Sequence, residues 1–518
     1  MTDAGAASSP DTRKIEQLVT LGAVALSVVY ASVVMLVASP VSFYTLDDPY
    51  IHMALAENIA RGHFGVNLAE YSNPSSSILW PWLLAGFDKL GVMLYAPLLV
   101  NVACFVLTVR VMTAFCLGRM ADDAVGIRNA LIVSGLALLA LNVFGVVFTG
   151  MEHSLHVLLS VVAVTRVIDG KFDRWTFAAL VIGPLVRFEG AIMLAFGVGA
   201  ALVDRKWIFA ALAVVAAVVP VALYGGWLST LGLPVLPSSV LSKSAAAGGV
   251  VDGGGGIVAG VIVSFARNAQ EAAAPLLALM ALGLAYAAWK RAGRDRVLAL
   301  GLLAVLALAM ILGRMDSYAR YEVWLLCVLA AGLVHLLQAE MRIVTQSLAR
   351  SAMLGAGVAL LGGALGVYVF ATTPLAARNI ALQQHETHRF VAECWRKPVA
   401  VNDLGWVSFR NDAYVLDLWG LGSEEARKAR AGNAPGWVGR LVTEHGVEAA
   451  ILYPDWFPGL PPEWVRLGVI GYTERSITPY APAATVFATR PEAAEALRTC
   501  LRQLSDSGPA GLFVQILD

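Results

Sequence analysis

The chain is poor in charge. Only 14% of its 518 residues are Asp, Glu, Lys or Arg, where a soluble domain carries about 25%. Lys and Arg (37) balance Asp and Glu (37), and no long basic tract occurs, so nucleic-acid binding is set aside. A Gly-rich phosphate loop of the Walker or GxGxxG type is missing, which argues against a nucleotide-fuelled transporter. Cysteine is scarce too. The five cysteines show no CxxC or Cys/His spacing, so no metal centre of that kind is expected. Cys104, Cys116 and Cys327 lie in apolar runs and read as small core residues. Cys394 and Cys500 lie in a polar tail, where they can pair if that tail sits in an oxidising compartment. No internal repeat has a clear period. The apolar run after Arg13-Lys14 is too long for a signal-peptide core and reads as a retained anchor.

What the chain has instead is apolar sequence. Hydrophobic residues make up 58% of it, and mean hydropathy is +0.69. Long apolar runs cover 18–39, 94–117, 129–148, 151–167, 175–187, 189–203, 207–231, 272–289, 295–313, 318–338 and 350–372, which predicts about eleven membrane helices. Segment 76–90 is apolar but short, and its two Trp suit an interfacial helix. Lys and Arg concentrate in cytoplasmic loops. Placing the N-terminus inside puts Arg119/Arg128, Arg166/Lys171/Arg174, Arg205/Lys206, Lys290/Arg291/Arg294/Arg296 and Arg342/Arg350 inside. Making 76–90 a full span would invert everything downstream and break that rule. The outer face then receives loop 41–93, the turn around Thr149–His153, loop 232–271, the turn Gly313–Arg320 and the tail.

The tail, 373–518, alternates strand-like runs such as Ala449-Ala-Ile-Leu-Tyr453 with amphipathic helical ones. That pattern predicts a small α/β domain. The expected architecture is therefore a polytopic α-helical membrane domain, residues 1–372, followed by an extracytoplasmic α/β domain.

Ionisable residues beside apolar spans are functional candidates by default. Asp47-Asp48 stands just after the first span, where two adjacent carboxylates lose hydration near lipid. The plain alternative is a helix cap, since Asp before Pro starts helices well. Glu152, His153 and His156 open a span. Arg187-Phe-Glu189 splits 175–203 into a hairpin that turns near the outer surface. Lys243 follows Leu236-Pro-Ser-Ser, and Arg314, Asp316, Arg320 and Glu322 cluster at another turn. For Arg187/Glu189 the plain reading is an interhelical ion pair, and for Arg320/Glu322 it is interfacial anchoring. All of them fall on the outer face. Arg and Lys suit a phosphate, and neighbouring carboxylates suit deprotonation of a hydroxyl.

Asp47-Asp48-Pro-Tyr-Ile-His52 through Gly62-His63, then Gly65-Val-Asn67, Glu70 and Pro74-Ser-Ser-Ser-Ile-Leu-Trp-Pro81, resembles the first outer loop of GT-C glycosyltransferases. The resemblance is greatest to bacterial proteins related to arabinofuranosyltransferases. Thr149-Gly-Met-Glu152, Leu185-Val-Arg187-Phe-Glu189-Gly190, Leu236-Pro237 with Lys243, Ala319-Arg320-Tyr321, Asn402-Asp403-Leu-Gly405 and Leu416-Asp417-Leu-Trp-Gly420-Leu421 follow in the family's order. The chain departs from the pattern at Ala54, at Ser238-Ser239 and at Phe188.

The resemblance implies an inverting transfer of a sugar, arabinofuranose among the candidates, from a polyprenyl-phosphate donor to an envelope glycan or surface protein. It assigns Asp47 and Asp48 to catalysis, with Asp47 favoured as the base, and His52, Arg187, Lys243 and Arg320 to the donor phosphate or sugar. Glu152, His153, Glu189, Asp403 and Asp417 are left to acceptor binding or support; for the two tail aspartates, strand-end and turn roles weigh at least as much. The resemblance assigns no definite cofactor. A divalent cation on the acidic pair stays open, although no complete set of oxygen ligands is visible. The expected place is the bacterial inner membrane, with the N-terminus cytoplasmic and the tail periplasmic. A protein O-glycosyltransferase or oligosaccharide ligase is the first alternative. A flippase for lipid-linked sugars is the second, but it should place its polar groups at mid-membrane, often in symmetric repeats.

Overall fold

The computed structural model describes residues 10–40, 42–239, 257–315, 318–432 and 434–517. Each of the eleven apolar runs falls on a helix. The first helices are α1 (Pro10–Val37), α2 (Asp48–Ala60), α3 (Trp80–Asp88), α4 (Ala96–Met120), α5 (Ala124–Ala140), α6 (His153–Ile168), α7 (Arg174–Val186), α8 (Gly190–Val203) and α9 (Trp207–Thr230). There follow α10 (Ile257–Asn268), α11 (Ala274–Lys290), α12 (Gly293–Leu312), α13 (Val323–Leu336), α14 (Gln338–Thr345), α15 (Leu348–Gly362) and α16 (Tyr368–Ile380). Among the described residues, six helical stretches are long and apolar enough to cross a membrane, or seven if the bent pair α13–α14 is one span. Five more of the apolar helices are shorter, 10–17 residues each. The protein is a multi-pass membrane protein by these helices.

Helix α3 has nine residues, too few to cross a bilayer at 1.5 Å per residue, and it packs on α2 and α4. Helix α10 was not foreseen: it lies inside 232–271, which the sequence reads as loop.

The helices put the basic loops at one end of the bundle. There Arg119 pairs with Asp169, Arg294 with Asp204, and Lys290 and Arg291 with Glu340. The other end carries α2, α3 and the turns that hold the candidate residues.

The boundary expected at 372/373 lies inside a helix. Helix α15 passes through a π-helical turn (Gly363–Val367) into α16, and π turns at Ala381–His385 and Phe390–Trp395 extend the rod to Trp395. The tail is built on the end of this rod. Its sheet has six strands, β1 (Val399–Val401), β2 (Val415–Asp417), β3 (Ala449–Leu452), β4 (Val465–Tyr472), β5 (Ala483–Ala488) and β6 (Leu512–Ile516), in the order β2-β1-β3-β5-β4-β6. Strand β1 pairs in parallel with β2 and β3, and the remaining pairs are antiparallel. A disulfide joins Cys394, at the end of the rod, to Cys500 in the helix Ala494–Ser507.

The tail docks on the first loop. The Asn67 side chain donates to the Val415 carbonyl and accepts from the Val415 N–H, both at 2.9 Å, so one amide completes both main-chain bonds of an edge-strand residue. Tyr50 of α2 stacks on Trp406 at 4.1 Å.

Candidate active site

Asp47 occupies the position before α2, yet its side chain makes no cap hydrogen bond to that helix. Its two oxygens accept instead from the backbone N–H groups of Gly405 (2.6 Å) and Trp406 (2.8 Å) in the tail. Those amides open the short helix Gly405–Ser408, so two orphan donors at a helix start meet a carboxylate. Gly405 is glycine because the space is taken: a Cβ there would lie 2.1 Å from the Asp47 carbonyl oxygen and 2.6 Å from its carboxyl carbon. Burial and the neighbouring Asp403 carboxyl push Asp47 up to about 8, against the pull of the two amides. Burial raises Asp403 as well, with Asp48 adding to it, although Gln384 and Tyr453 donate to its Oδ2, each at 3.0 Å.

Asp48, the next residue, faces the other way. Its carboxylate meets the Arg320 guanidinium at 2.6 Å, with side-chain exposures of 27% and 4%. Arg320 Nη2 also donates to the Tyr321 hydroxyl at 3.0 Å. Nε and Nη1 of Arg320 are buried without a partner among the described residues.

The Arg320 turn is strained. Tyr318 and Ala319 both have positive φ, 65° and 51°, a conformation that costs non-glycine residues about 1–3 kcal/mol each and clusters at functional sites. Asn142 holds the turn by donating to the Ala319 carbonyl (2.8 Å), and the Tyr318 hydroxyl bonds Thr372 (2.8 Å).

Beside it, Arg187 bridges two carboxylates, Glu152 and Glu189, at 2.7 Å each. Arg187 and Arg320 lie 5.2 and 4.8 Å from the Tyr321 ring centre, and the His153 ring packs against the same ring at 5.3 Å. Ser76 donates to Glu152 (2.9 Å), and Ser75 bonds His52 Nδ1 (3.1 Å). Gly150 has φ +67°, and a Cβ there would lie 2.7 Å from the Tyr44 ring. Only glycine lets the first loop rest on that turn.

The structure thus brings Asp47, Asp48, His52, Glu152, His153, Arg187, Glu189 and Arg320 to one end of the bundle, and Asp403 to Asp47. Nη1 and Nη2 of Arg187 each serve one of the two glutamates, Glu152 and Glu189. His52 Nδ1 bonds Ser75, and its ring lies near enough to Glu152 to favour that carboxylate. Asp417 stands apart: its carboxylate is buried and accepts from the N–H groups of Trp419, Leu421 and Gly422 at 2.6–2.8 Å. It is a turn carboxylate, the plainer of the two roles open to it. Lys243 and Asp316 lie outside the described residues. Among the described residues no group of three or more His, Cys, Asp or Glu is placed to hold a metal ion.

A family profile described as a domain of unknown function (DUF8728) matches residues 378–491, in the tail. No curated protein sequence matches the chain. Among solved structures, ArnT from Cupriavidus metallidurans in the apo state is 13% identical, over 92% of this chain and 99% of that one, with a TM-score of 0.48. The Archaeoglobus fulgidus oligosaccharyltransferase is 11% identical in its apo form, over 89% of this chain and 74% of that one, at 0.45. Its complex with Zn and sulfate is 13% identical, at the same score.

Several residues of this cluster were not singled out in the sequence as parts of a site. Gly405 and Trp406 act through main-chain amides, which leave no chemical mark on the residue type. Asn142 and Ser76 are neutral residues in apolar or Ser-rich surroundings. Tyr318-Ala319 carries its strain in backbone angles alone. Gly405, Ser76, Ala319 and Tyr321 all stood inside the quoted motifs, where their residue types assigned them no role.

Proposed function

We propose that the chain is an inverting glycosyltransferase that moves a sugar from a polyprenyl-phosphate donor to an acceptor hydroxyl, at the outer face of a bacterial inner membrane. The observation that carries this reading is Arg320: a buried guanidinium paired with Asp48, two of its donors unused, one residue away from a carboxyl whose affinity for protons is raised. An anion such as a lipid phosphate satisfies those donors. The acceptor O–H gives its proton to Asp47 while its oxygen attacks the anomeric carbon. The bond from that carbon to the phosphate oxygen breaks, and the electron pair leaves on the phosphate, whose charge Arg320 balances. Asp48 holds Arg320 in place before the phosphate arrives.

Two further features support the reading. An apolar groove of about 390 Å³ between α8 and α12, lined by Ile192, Phe196, Leu298 and Leu308, starts one turn from Glu189 and offers room for a polyprenyl chain. The Cys394–Cys500 disulfide suits an oxidising compartment outside the cytoplasm, and the basic loops at the opposite end suit the cytoplasm. Arabinofuranose remains our proposed sugar, on the motif resemblance. Purified full-length protein in liposomes, given radiolabelled polyprenyl-phosphoryl arabinofuranose and an envelope extract, should form a labelled glycan. Movement of the lipid across the bilayer with no transfer to acceptor, for this or any other polyprenyl-phosphoryl sugar, would refute the enzyme.

A further inference from the structure

The sheet order of the tail places a crevice beside Asp403, whose carboxyl acts on Asp47. Strand β1 lies between β2 and β3, and all three run parallel. The chain leaves β1 toward one neighbour and later returns to the other, so β1 and β3 flank a switch point. In open α/β sheets, ligands bind outside the carboxyl ends of the strands at such a point. Here those ends carry Asn402-Asp403 after β1 and Tyr453 after β3. Asn402 accepts from the Tyr453 N–H at 2.7 Å, and the Tyr453 hydroxyl bonds Asp403 at 3.0 Å.

A cavity of about 20 Å³ opens there, lined by Gln383, Gln384, Asn402 and Asp403. That is room for one hydroxyl, not for a ring. Gln384, 5% exposed, has a buried amide oxygen with no partner among the described residues. It comes from the π turn Ala381–His385, a distortion frequent at functional sites.

Aromatic rings lead from this cavity to the surface. Trp456 lies 5.4 Å from Tyr453, 5.1 Å from Tyr480 and 4.6 Å from Trp419. Tyr480 is 58% exposed, and both tryptophans are partly exposed. Trp419 sits on the turn that Asp417 builds, which gives that buried carboxylate its purpose. Ring faces flanked by carboxylate and amide groups suit the C–H faces and hydroxyls of a sugar.

We infer that the carboxyl ends of β1, β2 and β3 form the acceptor site, and that the acceptor is a glycan chain: one sugar hydroxyl enters beside Asp403 and Gln384, and further rings lie along Trp456, Trp419 and Tyr480, with buried Tyr453 linking the two. The track ends at Asp403, whose carboxyl acts on Asp47, so the inference rests on the transferase reading for its direction.

The test uses full-length protein in nanodiscs, titrated with oligosaccharides released by mild acid from the cells' own envelope. Tryptophan fluorescence should quench saturably. Trp456→Ala and Tyr480→Ala should weaken the apparent affinity at least tenfold, and Trp456→Phe should restore most of it. Asp47→Asn should still bind. An affinity unchanged by Trp456→Ala and Tyr480→Ala overturns the inference, and so does absence of quenching by the oligosaccharides. Quenching of these tryptophans by nitroxide-labelled lipid instead would make the rings a membrane-interface belt and overturn it too. Saturable, Trp456-dependent binding without any transfer would sink the transferase reading alone. Transfer with an acceptor KM untouched by Trp456→Ala would sink the glycan site alone.

Discussion

Asp47 and Asp48 are adjacent in sequence and opposed in space. One is clamped by tail amides, and the other is paired with Arg320. Removing either charge therefore has a different consequence. Asp47→Asn should lower kcat by about 10²–10⁴-fold, the usual worth of a positioned base, with donor binding intact. Asp48→Asn should instead release Arg320 and raise the donor KM; equal effects of both variants on kcat and KM would contradict the division. The pH dependence follows from the raised affinity of Asp47 for protons. A base must be deprotonated to act, so kcat/KM should rise with pH and level off above about 8. Asp403→Asn removes a neighbouring negative charge, which should move that rise to lower pH. A profile unmoved by Asp403→Asn would separate Asp403 from the base. Gly405→Ala pushes a methyl into Asp47 and should reproduce the kcat loss of Asp47→Asn while the tail stays folded, as read by its resistance to protease.

At the scale of elements, the hairpin of α7 and α8 is fixed by Arg187 between Glu152 and Glu189. Arg187 and Glu152 are buried, and Glu189 is one-fifth exposed. Removing the cation leaves two uncompensated carboxylates, a loss of about 3–5 kcal/mol. Arg187→Gln should thus lower the melting temperature markedly, and Arg187→Lys should recover part of it, because Lys keeps the charge but not the fork. A melting temperature unchanged in Arg187→Gln would remove the triad from the framework. This was also the element whose role the sequence disguised. Arg-Phe-Glu beside a span reads equally as phosphate ligand or ion pair, and the pairing with Glu152, contributed from another helix, leaves no mark in that sequence. The helices themselves were legible because apolar length is a local property. The rod from Leu348 to Trp395 was not: its polar half, beyond Thr372, loses the apolar signal while the backbone stays helical. The motifs of the first loop marked residues that the fold gathers at one end of the bundle, whereas the partners of each residue depend on contacts across hundreds of residues, as between Asp47 and Gly405.

At the scale of the whole molecule, membrane bundle and tail form one candidate centre: the bundle contributes Asp47, Asp48 and Arg320, and the tail contributes Gly405, Trp406 and Asp403. The Cys394–Cys500 bridge spans a separation of 106 residues, and closing a loop of that size restricts the unfolded tail by about 4.7 kcal/mol on the chain-entropy account. Cys394→Ala with Cys500→Ala should make the tail far more sensitive to protease and reduce transfer in parallel. Transfer that persists after the tail is cleaved away would show that the bundle works without it.

The amide of Asn67 has a consequence for the solubility of the parts. Strand β2 is the edge of its sheet, and an uncovered edge is a template for pairing with another copy. In the intact chain a loop of the membrane domain occupies that edge with a side chain that mimics a neighbouring strand. The tail prepared alone exposes Val415, and should associate edge to edge at concentrations where a tail fused to residues 61–75 stays monomeric.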